Sequence, residues 1–210
     1  MEQVHVALFT GASCVGKSTI TRQLSANRGW PAFDNDVEIC GRIFDLFNEP
    51  HLKNSLGDLP SWQHLRENYD FDRLYRVHHR DWFARNGMPT SFLAAGWMYC
   101  RREWREQTFR AFQQYSQHQF HFKLFILDLG HDEFFNRYLS AQQDRLSPSD
   151  PLFQKSRREQ KTQSNIHYND FLNTQLQIPD CREVDSTIVQ TNDQLEEKIA
   201  DFFACTSCPC

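Results

Sequence analysis

The hydrophobic positions of this chain fall into short unbroken runs separated by longer amphipathic stretches. Val4-His5-Val6-Ala7-Leu8-Phe9-Thr10 is almost wholly apolar up to Gly11, the pattern of a strand buried on both faces of a sheet. A helical pattern follows from Lys17 to about Asn27, with Gly29 and Pro31 as stop signals. Ala32-Phe33 predicts a second short strand that ends at Asp34-Asn35-Asp36. Residues 37–87 read as amphipathic helix, broken by Pro50 and by the stretch from Gly57 to Pro60. Thr90 to Ala95 predicts a third strand, and the helix after it carries Arg101, Arg102, Arg105 and Arg110. Phe120 to Leu129 is the densest β signal. Asp132 to Arg145 predicts a helix with acids in its first turn, where the helix dipole favours them. Glu183-Val184 predicts a last short strand ahead of Asp185, and Asn192 to Phe203 a closing helix. Strand and helix alternate along the chain, which predicts an α/β fold with a parallel sheet of about five strands flanked by helices.

At 210 residues the chain has the length of one domain with an insertion. A chain of this size buries roughly 70% of its unfolded surface and needs no disulfide to hold a core. Its 40% hydrophobic and 14% aromatic content, with 18 Phe, excludes long disorder. No apolar stretch is long enough to span a membrane, and Met1 to His5 lacks the basic segment of a signal peptide, so the expected location is cytoplasmic. The balance of 23 basic against 27 acidic residues argues against a dedicated nucleic-acid binder. Of seven Cys, those at 14, 40, 100 and 181 read as reduced thiols. Cys205, Cys208 and Cys210 crowd the end, but they lack the second pair of a typical zinc site. Residues 205–210 are therefore expected to be an exposed Cys-rich tail.

One segment carries specific chemistry. Gly11-Ala12-Ser13-Cys14-Val15-Gly16-Lys17-Ser18 matches G-x-x-x-x-G-K-[ST] at every fixed position, between a predicted strand and a predicted helix. The glycines let the backbone bend and turn its N–H groups toward one point. That point is a helix N-terminus, where partial positive charge favours phosphate. Lys17 adds a full charge for the β- and γ-phosphates, and the Ser18 hydroxyl is a ligand for Mg²⁺. Thr19 offers a further hydroxyl near the α-phosphate. Residues 11–19 are thus the expected nucleotide-binding loop, with ATP and Mg²⁺ as cofactors.

On these residues the chain resembles the P-loop kinases of small metabolites and nucleotides, a group that includes gluconate, shikimate, adenylylsulfate, chloramphenicol and nucleoside monophosphate kinases. The resemblance implies a P-loop NTPase fold spanning residues 1–204, with a helical acceptor-binding insertion at 37–88 and a lid at 146–165. It places the acidic turn Asp34-Asn35-Asp36 beside the acceptor. There either Asp34 or Asp36 orients the acceptor hydroxyl and takes its proton late in transfer. It also implies that arginines after the fourth strand belong to a mobile lid over ATP. Arg137 and Arg145 share one helical face and would contact the nucleotide. Arg157 and Arg158, in the basic patch of the lid, would neutralise charge on the transferring group. Asp185-Ser186-Thr187 resembles the end of the fifth strand, whose following backbone touches the adenine edge.

The third strand departs from the pattern, because it ends Ala94-Ala95-Gly96 without the acid that supports Mg²⁺. The insertion holds Trp62, Tyr69, Tyr75 and Trp82 among arginines and histidines, which suits a ring-bearing or anionic acceptor or else a helical cap with its own core. The paired His78-His79 point to different faces of a helix and do not share one metal ion. The resulting expectation is an ATP-dependent transfer of phosphate to a hydroxyl of a small molecule. A nucleotide or nucleoside kinase and a non-catalytic ATP-binding regulatory module stand as alternatives. GTP switching is disfavoured, since no N-K-x-D motif occurs.

Overall fold

The computed structural model describes residues 2–12, 15–35, 38, 71–96, 99, 102–113, 118–145, 185–189 and 195–204. Its strands are β1 (Gln3–Gly11), β2 (Ala32–Asp34), β3 (Ser91–Ala95), β4 (Gln119–Leu127) and β5 (Asp185–Val189). They form one five-stranded sheet in the order β2-β3-β1-β4-β5. Every pairing is parallel. The described helices are α1 (Lys17–Arg28), α2 (Phe71–Asn86), α3 (Arg102–Gln113), α4 (His131–Arg145) and α5 (Leu195–Ala204).

The central place of β1 follows from its composition. Val4 to Gly11 are all buried, as a strand covered on both faces requires. On one side Phe9 lies level with Ala95, and on the other Gly11 lies level with Leu127. The strand order reverses across β1, and open parallel sheets bind ligands beyond the carboxyl ends of their strands at such a point.

The 18 Phe do much of the packing. Phe9 stacks on Phe125 at 5.5 Å, and Phe112 meets Phe83, Phe92 and Phe120 at 5.5–5.7 Å. Each such pair adds about 0.5–1.5 kcal/mol beyond its area burial. Trp82 of α2 is only 3% exposed, and its Nε1 donates to the Ala32 carbonyl. This indole belongs to the core of the sheet and is not an acceptor-binding ring. On the other face of the sheet His5 stacks on His121, with Phe202 of α5 edge-on to it. Arg28 of α1 pairs with Glu196 of α5.

The last strand starts where the sequence pattern places its end. β5 begins at Asp185, level with Lys123, and its β-branched residues carry it on to Val189, level with Leu127. Asp185 therefore stands well back from the carboxyl edge, and the expected nucleotide contact of Asp185 to Thr187 is not at the end of the strand. Most of the expected insertion, all of the lid with Arg157 and Arg158, Asp36, Ser13, Cys14 and the Cys tail lie outside the described residues. Among the described residues no helix is long and apolar enough to cross a membrane.

Candidate phosphate-binding site

The site is built on the exit of β1. Gly11 closes the strand against the end of β4. A Cβ there would lie 2.8 Å from the Leu127 carbonyl oxygen and 2.8 Å from Val15 Cγ2. Only glycine lets the backbone turn at this point without pushing β4 away. Gly16 then takes a left-handed conformation, φ 95° and ψ 18°, at the head of α1. A side chain is strained in that region, whereas glycine is not. The first helical bond follows at once, from Ile20 N to the Gly16 carbonyl at 2.9 Å.

The head of α1 has no side-chain cap and no acid in its first turn. Most helices satisfy their first N–H groups with a Ser, Thr, Asp or Asn oxygen. This one has no such oxygen, and its dipole favours an anion.

Lys17 is the first residue of α1 and is only 6% exposed. Its Nζ donates to the carbonyls of Gly11 and Ala12, both at 3.0 Å. The ammonium thus lies inside the concave loop, held by the backbone that a phosphate would share. Ser18 is half-buried on the first turn, and Thr19 is exposed beside it. Thr21 Oγ1 donates back to the Lys17 carbonyl at 3.1 Å, which steadies this turn.

From the other side comes α4. Arg137 Nη1 donates to the Val15 carbonyl at 3.1 Å, and its Nε to Glu133 Oε1 at 2.7 Å. A Cβ on Gly16 would lie 3.2 Å from Arg137 Nη1. The expected nucleotide-binding arginine therefore sits against the loop itself. Arg145 is the last residue of the same helix.

Asp34 ends β2, level with Ala95, at the same carboxyl edge of the sheet. Next to it is a residue the sequence reading passed over. Asn35 is fully buried, and neither Nδ2 nor Oδ1 meets a hydrogen-bond partner among the described residues. It packs on Gly96, which continues the β3 ladder by donating its N–H to the Phe9 carbonyl at 3.0 Å. Arg105 of α3 was grouped with the helical cations but is 2% exposed, and its Nη1 donates to the Tyr99 carbonyl at 2.7 Å. Its spacing with the buried Thr108 and Phe112 was the available signal, since these three share the inward face of α3.

No model of a known protein family matches the chain, and no curated protein matches it in sequence. Similarity appears among solved structures. Shikimate kinase from Acinetobacter baumannii, in complex with shikimate, matches with a TM-score of 0.50 at 17% identity, over 99% of this chain and 96% of that one. A gluconokinase from Sinorhizobium meliloti matches with a TM-score of 0.49 at 14% identity, over 95% of this chain and 90% of that one. The likeness to shikimate kinase is one of fold, a parallel sheet flanked by helices, as the alternation of strand and helix patterns leads one to expect.

Proposed function

We propose that this protein is an ATP-dependent phosphotransferase that moves the γ-phosphoryl group of ATP–Mg²⁺ to a hydroxyl of a small molecule. The observation that carries the reading is the phosphate loop. An uncapped helix head, a glycine turn with no room for a Cβ and a buried ammonium converge on one point. The fold shared with shikimate kinase supports it.

The residues present fit a bound triphosphate. The N–H groups at the head of α1 would hold its oxygens, and Lys17 would exchange two carbonyl partners for phosphate oxygens with little movement, because its Nζ already lies in the loop. Bound ATP–Mg²⁺ would supply the transferable group and offset its charge. The Ser18 hydroxyl would be the protein ligand for the ion, with Asp34 and Asp36 as candidates to hold its water. Arg137, anchored to Val15, would fix the loop and add charge beside it. Asp34 or Asp36 would orient the acceptor hydroxyl and receive its proton late in the transfer. Arg157 and Arg158 would act from the lid, and Arg145 on the nucleotide. Catalysis of this kind is positioning plus charge stabilisation, with no covalent intermediate on the protein.

The test is ADP release from ATP–Mg²⁺ with pooled acceptors, using Lys17→Ala as control. One pool holds nucleosides and nucleoside monophosphates. The other holds sugars, sugar acids, shikimate and amino-alcohols. Stimulation by the second pool in the wild type alone supports the reading, stimulation by the first redirects it to a nucleotide kinase, and stimulation by neither overturns it.

A further inference from the structure

We propose that the Asn35 amide is a specificity-determining group of the acceptor site, which pairs with a hydroxyl of the acceptor; this rests on the kinase reading above. Asn35 follows Asp34 directly at the carboxyl end of β2. Its side chain faces Gly96, the residue after β3, across the edge where Asp34 and Ala95 are level. A Cβ on Gly96 would lie 3.0 Å from Asn35 Cβ, 3.3 Å from its Nδ2 and 3.3 Å from the Tyr99 ring. The missing side chain is what leaves room for the amide.

The amide is 0% exposed, and both of its polar atoms lack a hydrogen-bond partner among the described residues. Buried polar side chains are nearly always paired, and an unsatisfied group costs about 1–3 kcal/mol. A leucine has the same number and branching of side-chain heavy atoms and would avoid that cost. An amide kept here at the edge of a candidate active site therefore points to a partner that arrives later. That partner must both accept from Nδ2 and donate to Oδ1. An alcohol hydroxyl does both, whereas a phosphate or a carboxylate only accepts. A site of this kind rejects an acceptor without the hydroxyl, because the buried amide would stay unpaired.

The experiment compares wild type with Asn35→Leu, and with Asn35→Ala in case the leucine does not fold. The thermal midpoint is measured without ligands, ADP affinity by titration, and ADP release with the pool of sugars, sugar acids, shikimate and amino-alcohols. The expected result for Asn35→Leu is a midpoint equal to or above wild type, unchanged ADP affinity and a loss of about tenfold or more in pool-stimulated release. With Asn35→Ala the same loss of release is expected at unchanged ADP affinity. A midpoint well below wild type for a folded Asn35→Leu would show that the amide is already satisfied, and would overturn the proposal. Equal stimulation of wild type and variant would overturn it as well, leaving the kinase reading intact. A wild type that binds ADP but responds to no pool overturns the kinase reading and this proposal with it.

Discussion

Arg137 Nη1 donates to the carbonyl oxygen of Val15, a residue 122 positions earlier in the chain. The bond ties the first turn and a half of α4 to the middle of the phosphate loop. Glu133, one helical turn before, holds the other side of the guanidinium. The loop is therefore supported from outside its own strand–turn–helix unit.

Arg137→Ala is expected to weaken ADP binding about tenfold, the worth of one charge-assisted hydrogen bond in a partly buried setting. Arg137→Lys should recover only part of this, since an ammonium cannot bridge Val15 and Glu133 with the same planar fork. Glu133→Gln should change affinity less than twofold, because that pair is half-exposed and screened. Titration with ADP reads all three. Unchanged affinity in Arg137→Ala would mean that the Val15 contact does not shape the loop.

Lys17 serves both the loop and the proposed chemistry. Lys17→Ala should lower phosphoryl transfer by about a hundredfold or more. It should also lower the nucleotide-free thermal midpoint, because two loop carbonyls lose their donor, at about 1–3 kcal/mol. For a chain of this size that is roughly 2–12 °C. Lys17→Met keeps the stem packing and should lose activity equally with a smaller drop. Equal midpoints for wild type and both variants would show that the amine does not brace the empty loop.

Gly11 and Gly29 form a matched pair of tests. Gly11→Ala places a Cβ 2.8 Å from a backbone oxygen of β4, which cannot swing aside as a side-chain tip can. It should abolish measurable ADP binding and destabilise the protein by about 1–3 kcal/mol. Gly29 caps the other end of α1 at φ 68°, with nothing within 4 Å of the added carbon. Gly29→Ala should cost only the backbone term, about 1 kcal/mol, and leave ADP binding alone. Weakened ADP binding in Gly29→Ala would show that general loss of stability, not loop geometry, is being read.

The turn from β1 into α1 and four of the five strands were legible because each is a local signal. The motif needs its residues at fixed spacing, and a buried parallel strand reads as an unbroken apolar run. The order β2-β3-β1-β4-β5 was not legible, since it depends on pairings between residues far apart in the chain. β5 was misplaced because Glu183-Val184-Asp185 resembles a known strand ending, while the β-branched Thr187-Ile188-Val189 beyond it is the better strand former. Trp82 and Arg105 were read by residue type, as ring and cation, but their helical spacing turns both inward. Asn35 went unnoticed between two aspartates, and only its burial marks it.

His79 of α2 offers a prediction about acid stability. The imidazole is enclosed by Phe33 at 4.8 Å and Phe112 at 4.2 Å. Burial above all, and the neighbouring His78 in the same direction, lower its pKa from 6.5 to about 3. The unfolded chain therefore binds a proton here below pH 6.5 that the folded chain refuses until about pH 3. Stability is complete above pH 6.5 and is lost as pH falls through that window, at up to about 1.4 kcal/mol per pH unit from this one group. His79→Phe keeps an aromatic ring in the cage and removes the proton site. Between pH 7 and 5.5, where few carboxylates titrate, the wild type should lose denaturant resistance more steeply than His79→Phe, by about one proton. Urea midpoints at closely spaced pH values measure the difference. Parallel slopes for the two proteins would mean that the folded state accepts the proton at His79 as readily as the unfolded chain.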